Sequence, residues 1–179
     1  MQTVEPPSSD TFTQDLVALI PRLRRHARRM VGDADAADDV VQDCLERAVA
    51  GRTRFDAGSN LAAWVFTILH NVFRDQLRRD RHWEALPDGI DIPSRTWRGD
   101  STAELALQVN DLSEALARLP VEQRAVVLMV SVEGLSYSDV CAALNIPMGT
   151  VMSRLHRARE YLRSAVLARD AEQQATTKG

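Results

Sequence analysis

Aromatic residues make up only 5% of this 179-residue chain, and no apolar run approaches the ~20 residues that a membrane-spanning helix needs. Long β-branched or aromatic stretches are missing as well, which removes the usual signals of a buried strand. Cysteine is nearly absent. Cys44 and Cys141 lie far apart and neither has a CxxC partner, which fits a reducing compartment and excludes a disulfide-stapled scaffold. The four histidines, His26, His70, His82 and His156, have no carboxylate or cysteine at ligand spacing, so no metal is expected. There is no Gly-rich phosphate loop, nucleophile elbow or cleft-like carboxylate pair; no catalytic residue, no cofactor and no enzyme are expected. The polar, Pro-containing first ten residues do not resemble a signal peptide, so the expected location is cytoplasmic, with no membrane insertion.

What remains is the composition of a helical protein. Ala, Leu, Arg, Glu and Asp dominate, and a hydrophobic fraction of 45% can fill a core. The net charge of -3 argues against strong DNA binding by the chain alone, because phosphate affinity comes from clustered Lys and Arg. The distribution of charge says more than the sum. Acidic residues crowd Asp33–Glu46, and arginines crowd Arg22–Arg29, Arg74–Arg81 and Arg154–Arg169. This segregation implies one acidic docking surface and separate basic ones.

The apolar periodicity predicts helices over Thr11–Met30, Ala34–Ala50 and Leu61–Arg81, with Pro21 interrupting the first or opening a new first turn. Gly51 closes the second, and Arg52–Asn60 forms a loop. The pattern then fails over 82–102, where Pro87, Gly89, Pro93 and Gly99 fall, and a flexible linker is expected there. Further helices are expected near Ala103–Arg118, Val121–Val132, Ser136–Leu144 and Gly149–Ala168, followed by a polar, disordered tail at 170–179. The expected fold is all-α: two small helical domains, 11–81 and 103–169, with a helix–turn–helix in the second.

Three faces stand out. On the second helix Val41, Cys44, Leu45 and Ala48 share one side, and Asp39, Gln42, Asp43 and Glu46 the other. Periodicity alone favours the plainer reading, a solvated acidic face. On the third helix Leu61, Trp64, Val65, Ile68 and Val72 form the expected buried stripe, with Trp64 read as core. Thr67, Asn71, Arg74 and Arg78 make a separate polar and basic ridge continued by Arg81, which again a solvated arginine face would explain. In the segment Leu135–Glu160, Ser136 can cap a first helix, Asn145 can supply the turn, and Pro147 or Gly149 can start a second. Val151, Leu155, Ala158 and Leu162 then face inward, leaving Met152, Ser153, His156 and Arg157 on an outward side that a major groove accepts.

These segments together resemble the bacterial RNA polymerase sigma factors of the extracytoplasmic-function type, in the sigma order and spacing. Asp38–Ala48 is similar to sigma region 2.2. Phe55, Trp64, Ile68, Asn71, Asp75, Arg78 and Arg79 match the pattern of regions 2.3 and 2.4. Leu116–Met129 resembles region 4.1, and Gly134–Arg159 closely follows region 4.2. The resemblance implies that Asp39, Gln42, Asp43 and Glu46 dock on the clamp helices of the largest subunit of core RNA polymerase. It implies a further polymerase contact at the flap region. Phe55, Thr67, Asn71, Arg74 and Arg78 would then bind the melting minus-ten element of promoter DNA, with a base pocket in the Arg52–Asn60 loop. Met152, Ser153, His156 and Arg157 would read the minus-thirty-five element, with Arg124 and Arg154 at phosphate or supporting positions. An anti-sigma factor is the implied regulatory partner. Two departures are Met152, where Lys or Arg is usual, and Asp139, where Glu is usual. A helix–turn–helix regulator acting without polymerase, and a sigma mimic that only sequesters an anti-sigma factor, are the competing readings.

Overall fold

The computed structural model describes residues 9–82 and 105–177; among them are seven α-helices and no strand. Helix α1 (Ser9–Val31) runs unbroken through Pro21. Proline removes the N–H that the Val17 carbonyl would accept, but Val17 and Pro21 are both exposed, so water can satisfy that oxygen. Helix α2 (Ala34–Ala50) starts at Asp33, whose carboxylate accepts from the Ala36 N–H at 2.9 Å, and closes at Gly51. A 3₁₀ turn (Arg52–Arg54) leads to α3 (Leu61–His82), which Asn60 caps by accepting from the Ala63 N–H at 3.2 Å.

The second half holds α4 (Leu105–Arg118), α5 (Val121–Val127), α6 (Tyr137–Leu144) and α7 (Met148–Thr177). Where one helix was expected to Val132, α5 widens into a π-type turn over Leu128–Val132. Gly134, at φ +68°, then reverses the chain, a conformation open to glycine without strain. Residues 83–102 of the expected linker lie outside the described residues, while His82 ends α3. The expected disordered tail is corrected as far as Thr177, because α7 continues to it. Residues 170–177 contain no Gly or Pro and are rich in Ala, Glu and Gln, which favour helix.

Packing confirms most of the expected faces. Val41, Cys44 and Ala48 of α2 are buried, as are Val151, Leu155 and Ala158 of α7. On α3 the buried face is displaced: Val65, Phe66, Leu69, Val72 and Phe73 are deepest, while Leu61, Trp64 and Ile68 are half-buried. The reason is tertiary. Helix α3 packs on α1 and α2 and also on α6 of the second half, so more than one stripe is covered. Helices α4 and α5 reach α1, and the two helical domains share a continuous core.

Cys44 lies in that core. Its thiol donates weakly to the Val65 carbonyl at 3.6 Å, and burial pushes its pKa up to about 12, against a smaller opposing effect of Arg47. The thiolate is therefore suppressed. A thiol-directed maleimide is expected to modify Cys141 alone in the native protein and both cysteines after unfolding. Mass spectrometry counts the adducts, and two adducts under native conditions would contradict the burial argument.

Candidate nucleic-acid interface

Helix α2 presents Asp39, Gln42 and Glu46 to solvent and Asp43 half-buried at the margin. The Gln42 amide donates to the Glu46 carboxylate at 3.1 Å, one turn along the same face. Asp38 is set apart: it lies between Arg24 and Arg28 of α1, at 3.7 and 3.8 Å. Arg47 pairs with Asp75 at 3.0 Å and ties α2 to α3. The remaining acidic face is thus a compact anionic strip beside a neutralised junction.

On α3 the ridge of Asn71, Arg74 and Arg78 is exposed, whereas Thr67 is half-buried and its hydroxyl donates to the Ala63 carbonyl at 2.8 Å. Phe55 is half-buried. Its ring packs 5.4 Å from Trp64 and 5.9 Å from Phe12, so it belongs to an aromatic cluster that seats the loop against α1 and α3. Trp64 completes that cluster, 6.3 Å from Phe12, as the core reading expected. The loop itself is tightened by Asp56, which accepts from the Gly58 N–H at 3.1 Å and the Ser59 hydroxyl at 2.7 Å.

The helix–turn–helix forms as the residues dictate. Ser136 accepts from the Asp139 N–H at 3.1 Å, and Asp139 accepts in return from the Ser136 N–H at 3.2 Å. The shorter Asp still closes this reciprocal cap, so the departure from Glu costs the motif nothing here. Asn145 takes the left-handed conformation, φ 53°, that the turn needs. On α7 Met152, His156 and Arg157 are exposed and Ser153 is half-buried, its hydroxyl donating to the Thr150 carbonyl at 3.1 Å. Arg154 is half-buried and close enough to α3 for its charge to act on His70.

Arg124 lies inside the fold. It is fully buried, and its guanidinium donates to the Met30 carbonyl at 2.9 Å, the Leu119 carbonyl at 3.0 Å and the Ala117 carbonyl at 3.2 Å. The resemblance set this arginine at a phosphate or supporting position; here the carbonyls at two helix ends take its donors. Burial lowers its pKa to about 10, which leaves it charged.

Sequence reasoning also missed the polar contacts where the two halves meet. Arg22 of α1 donates from Nε to the Glu133 carboxylate at 3.2 Å and from Nη2 to the Glu133 carbonyl at 3.0 Å. His26 Nδ1 lies 3.3 Å from the same carboxylate. Burial alone would raise the Glu133 pKa, but the His26 hydrogen bond and the charges of His26 and Arg22 outweigh it and hold the carboxyl below its usual range. Partners 107 and 111 positions apart leave no local pattern to detect.

His70 lies buried nearby on α3. Burial pushes its pKa down to about 3, helped by the positive charges of Arg74, His26 and Arg154. The folded chain therefore holds His70 neutral while an unfolded one protonates it near 6.5. Stability from this group is full above 6.5 and is lost as pH falls from there towards 3. Glu133 adds a second loss below its ordinary value of 4.5. Between pH 7 and pH 5 the His70 share is about 2 kcal/mol. Thermal melts at both pH values test it: the wild type is expected to lose more stability than His70→Leu, and equal losses would contradict the assignment.

Two family models match the chain: the Sigma2 domain of PhyR over residues 16–70, and sigma-70 region 4 over residues 110–162. The chain is 38% identical to the ECF RNA polymerase sigma factor EcfG of Rhodopseudomonas palustris, over 93% of this chain and 91% of that protein. It is 29% identical to the RNA polymerase sigma factor CarQ of Myxococcus xanthus, over 87% of this chain and 89% of that one. Among solved structures, the sigma factor RpoE in complex with the anti-sigma factor NepR from Bartonella quintana superposes with a TM-score of 0.74. That similarity is at 36% identity, over 88% of this chain and 97% of that chain. Both halves match sigma domains in sigma order, and a full-length relative matches across their junction. The chain belongs to the extracytoplasmic-function sigma factors of bacterial RNA polymerase.

Proposed function

We propose that this sigma factor docks on the clamp helices of core RNA polymerase through Asp39, Gln42, Asp43 and Glu46. Asn71, Arg74 and Arg78, with Thr67 at the margin and Phe55 seating the adjoining loop, then follow the melting minus-ten strand. Met152, Ser153, His156 and Arg157 read the minus-thirty-five element, with Arg124 and Arg154 supporting them. The flap region is the expected second polymerase contact. The domains fall at 11–81 and 103–169 with a linker at 82–102, in line with the two family matches. No described helix is long and apolar enough to cross a membrane, and membership of the family supports a cytoplasmic, non-enzymatic role.

One observation carries this reading: α7 buries Val151, Leu155 and Ala158 while exposing Met152, His156 and Arg157, a helix set to enter a groove. The structural relative was solved with an anti-sigma factor, which supports such a regulator here. The match of residues 16–70 to the Sigma2 domain of PhyR keeps the mimic reading in view. Exposed reading residues on both α3 and α7 favour the sigma factor. Promoter binding by gel shift, with and without core polymerase, separates the classes. A sigma factor with net charge -3 binds specifically only with core. Tight specific binding by the chain alone favours the independent regulator, and no binding in either case favours the mimic.

A further inference from the structure

Two histidines and a methionine line a small cavity that promoter reading does not use. It lies between the first three helices, walled by His26 and Met30 of α1, Val40 of α2, and Leu69, His70 and Phe73 of α3. Its free space is about that of one water molecule. His26 and Met30 stand one turn apart on α1, so both project from the same face. The His26 ring packs 4.9 Å from Phe66, which lies one turn before His70 on α3. The two imidazoles thus reach one gap from positions far apart in sequence, where ligand spacing gives no sign of them.

Buried polar groups need partners, and here they are missing. His70 is 8% exposed, and its ring nitrogens have no hydrogen-bond partner among the described residues. His26 is 2% exposed and spends Nδ1 on the Glu133 carboxylate at 3.3 Å, which leaves Nε2 without one. A carboxylate behind an imidazole fixes the ring and raises the basicity of its far nitrogen, as behind metal-binding histidines generally. No three His, Cys, Asp or Glu side chains converge among the described residues, so the third donor here is the Met30 thioether. Two imidazoles and a thioether are a soft donor set that suits copper in its monovalent state. Structural Zn(II) takes four protein donors, and this cavity offers three. The surrounding charge selects in the same direction. Arg74 and Arg154 act on His70, and they repel a divalent ion twice as strongly as a monovalent one.

We infer that His26 Nε2, the His70 imidazole and the Met30 sulfur form a binding site for a single Cu(I) ion, with Glu133 positioning His26. Bound there, the ion joins α1 to α3 and stabilises the fold, because the unfolded chain does not hold the site together.

Anaerobic titration of the full-length chain with Cu(I), in competition with the chromophoric chelator bicinchoninate, tests it. Cys141→Ser serves as the parent protein, because the Cys141 and Met148 sulfurs, 3.9 Å apart, offer copper a second set of soft donors. The parent is expected to bind one Cu(I) per chain, to melt at a higher temperature with it, and to show a sulfur neighbour in copper X-ray absorption. Met30→Leu keeps the apolar volume and is expected to abolish the sulfur signal. It is also expected to weaken Cu(I) by more than the roughly 10- to 100-fold that loss of an outer partner costs. His70→Leu is expected to weaken it as much, with circular dichroism separating lost ligation from lost fold. If His70→Leu does not fold, Met30→Leu decides alone. Zn(II) is expected to leave the melting temperature unchanged. No Cu(I) binding by the parent overturns the site and leaves the cavity to a bridging water. Binding that survives the substitutions places copper elsewhere, and Zn(II) displacing Cu(I) mole for mole overturns the choice of metal. None of these readings involves DNA or polymerase, so the outcome is independent of the promoter assignment.

Discussion

Replacing Asp39 and Asp43 together with lysine is expected to weaken binding to core RNA polymerase by roughly 100-fold, the effect of about 3 kcal/mol of like-charge juxtaposition. Both residues stand outside the packed core on the anionic strip of α2. The core side of the helix, Val40, Val41, Cys44 and Ala48, is untouched by the change, so helicity is expected to persist. Asp38 supplies the control. It carries the same charge one residue earlier but lies between Arg24 and Arg28 of α1, so Asp38→Asn is expected to leave polymerase affinity nearly unchanged. Titration of labelled polymerase with each variant reads the difference. Equal affinities for the double variant and wild type would place the docking surface elsewhere.

Arg157→Ala carries the second large effect, on sequence reading. Arg157 leaves α7 beside His156 and Ser153 and opposite Leu155 and Ala158, so burial does not account for it. A bidentate arginine contact to a base is worth about 1–3 kcal/mol, or roughly 5- to 150-fold at one base pair. A phosphate contact would instead weaken all promoters alike and make the salt dependence shallower by about one unit. Selection from promoters randomised in both elements is expected to show Arg157→Ala relaxed at a single upstream position and unchanged in the minus-ten element. Arg74→Ala on α3 is expected to slow melting without altering the upstream preference. Uniform loss across the library with Arg157→Ala would move this residue to the backbone.

The sequence made legible those features that arise within a few residues. The Ser136–Asp139 cap, the left-handed Asn145 and the alternation of Val151, Leu155 and Ala158 with Met152, His156 and Arg157 follow from local chemistry, and the fold contains them. The same holds for the two-faced α2. The packing of Arg124 and Phe55 was not legible because a motif records which residue occurs, not where its side chain ends. A guanidinium on helix-end carbonyls and an arginine on phosphate look alike in a pattern, and only packing separates them. The grip of Arg22 and His26 on Glu133 was invisible for a different reason. Its partners meet only after both domains have folded, and none has a periodic neighbour that announces the contact. The continuation of α7 to Thr177 was legible in principle, since Ala, Glu and Gln favour helix, but the polarity of the segment drew the reading towards disorder.

Run-off transcription with purified core polymerase tests the central claim most directly. The chain is added to core polymerase with a pool of templates randomised at both promoter elements, and transcript start sites are mapped. The account predicts transcripts only when the chain is present. It also predicts that productive templates share two conserved blocks separated by a fixed spacer, both required together. Transcription that does not depend on the chain, or productive templates with no upstream block, would contradict it.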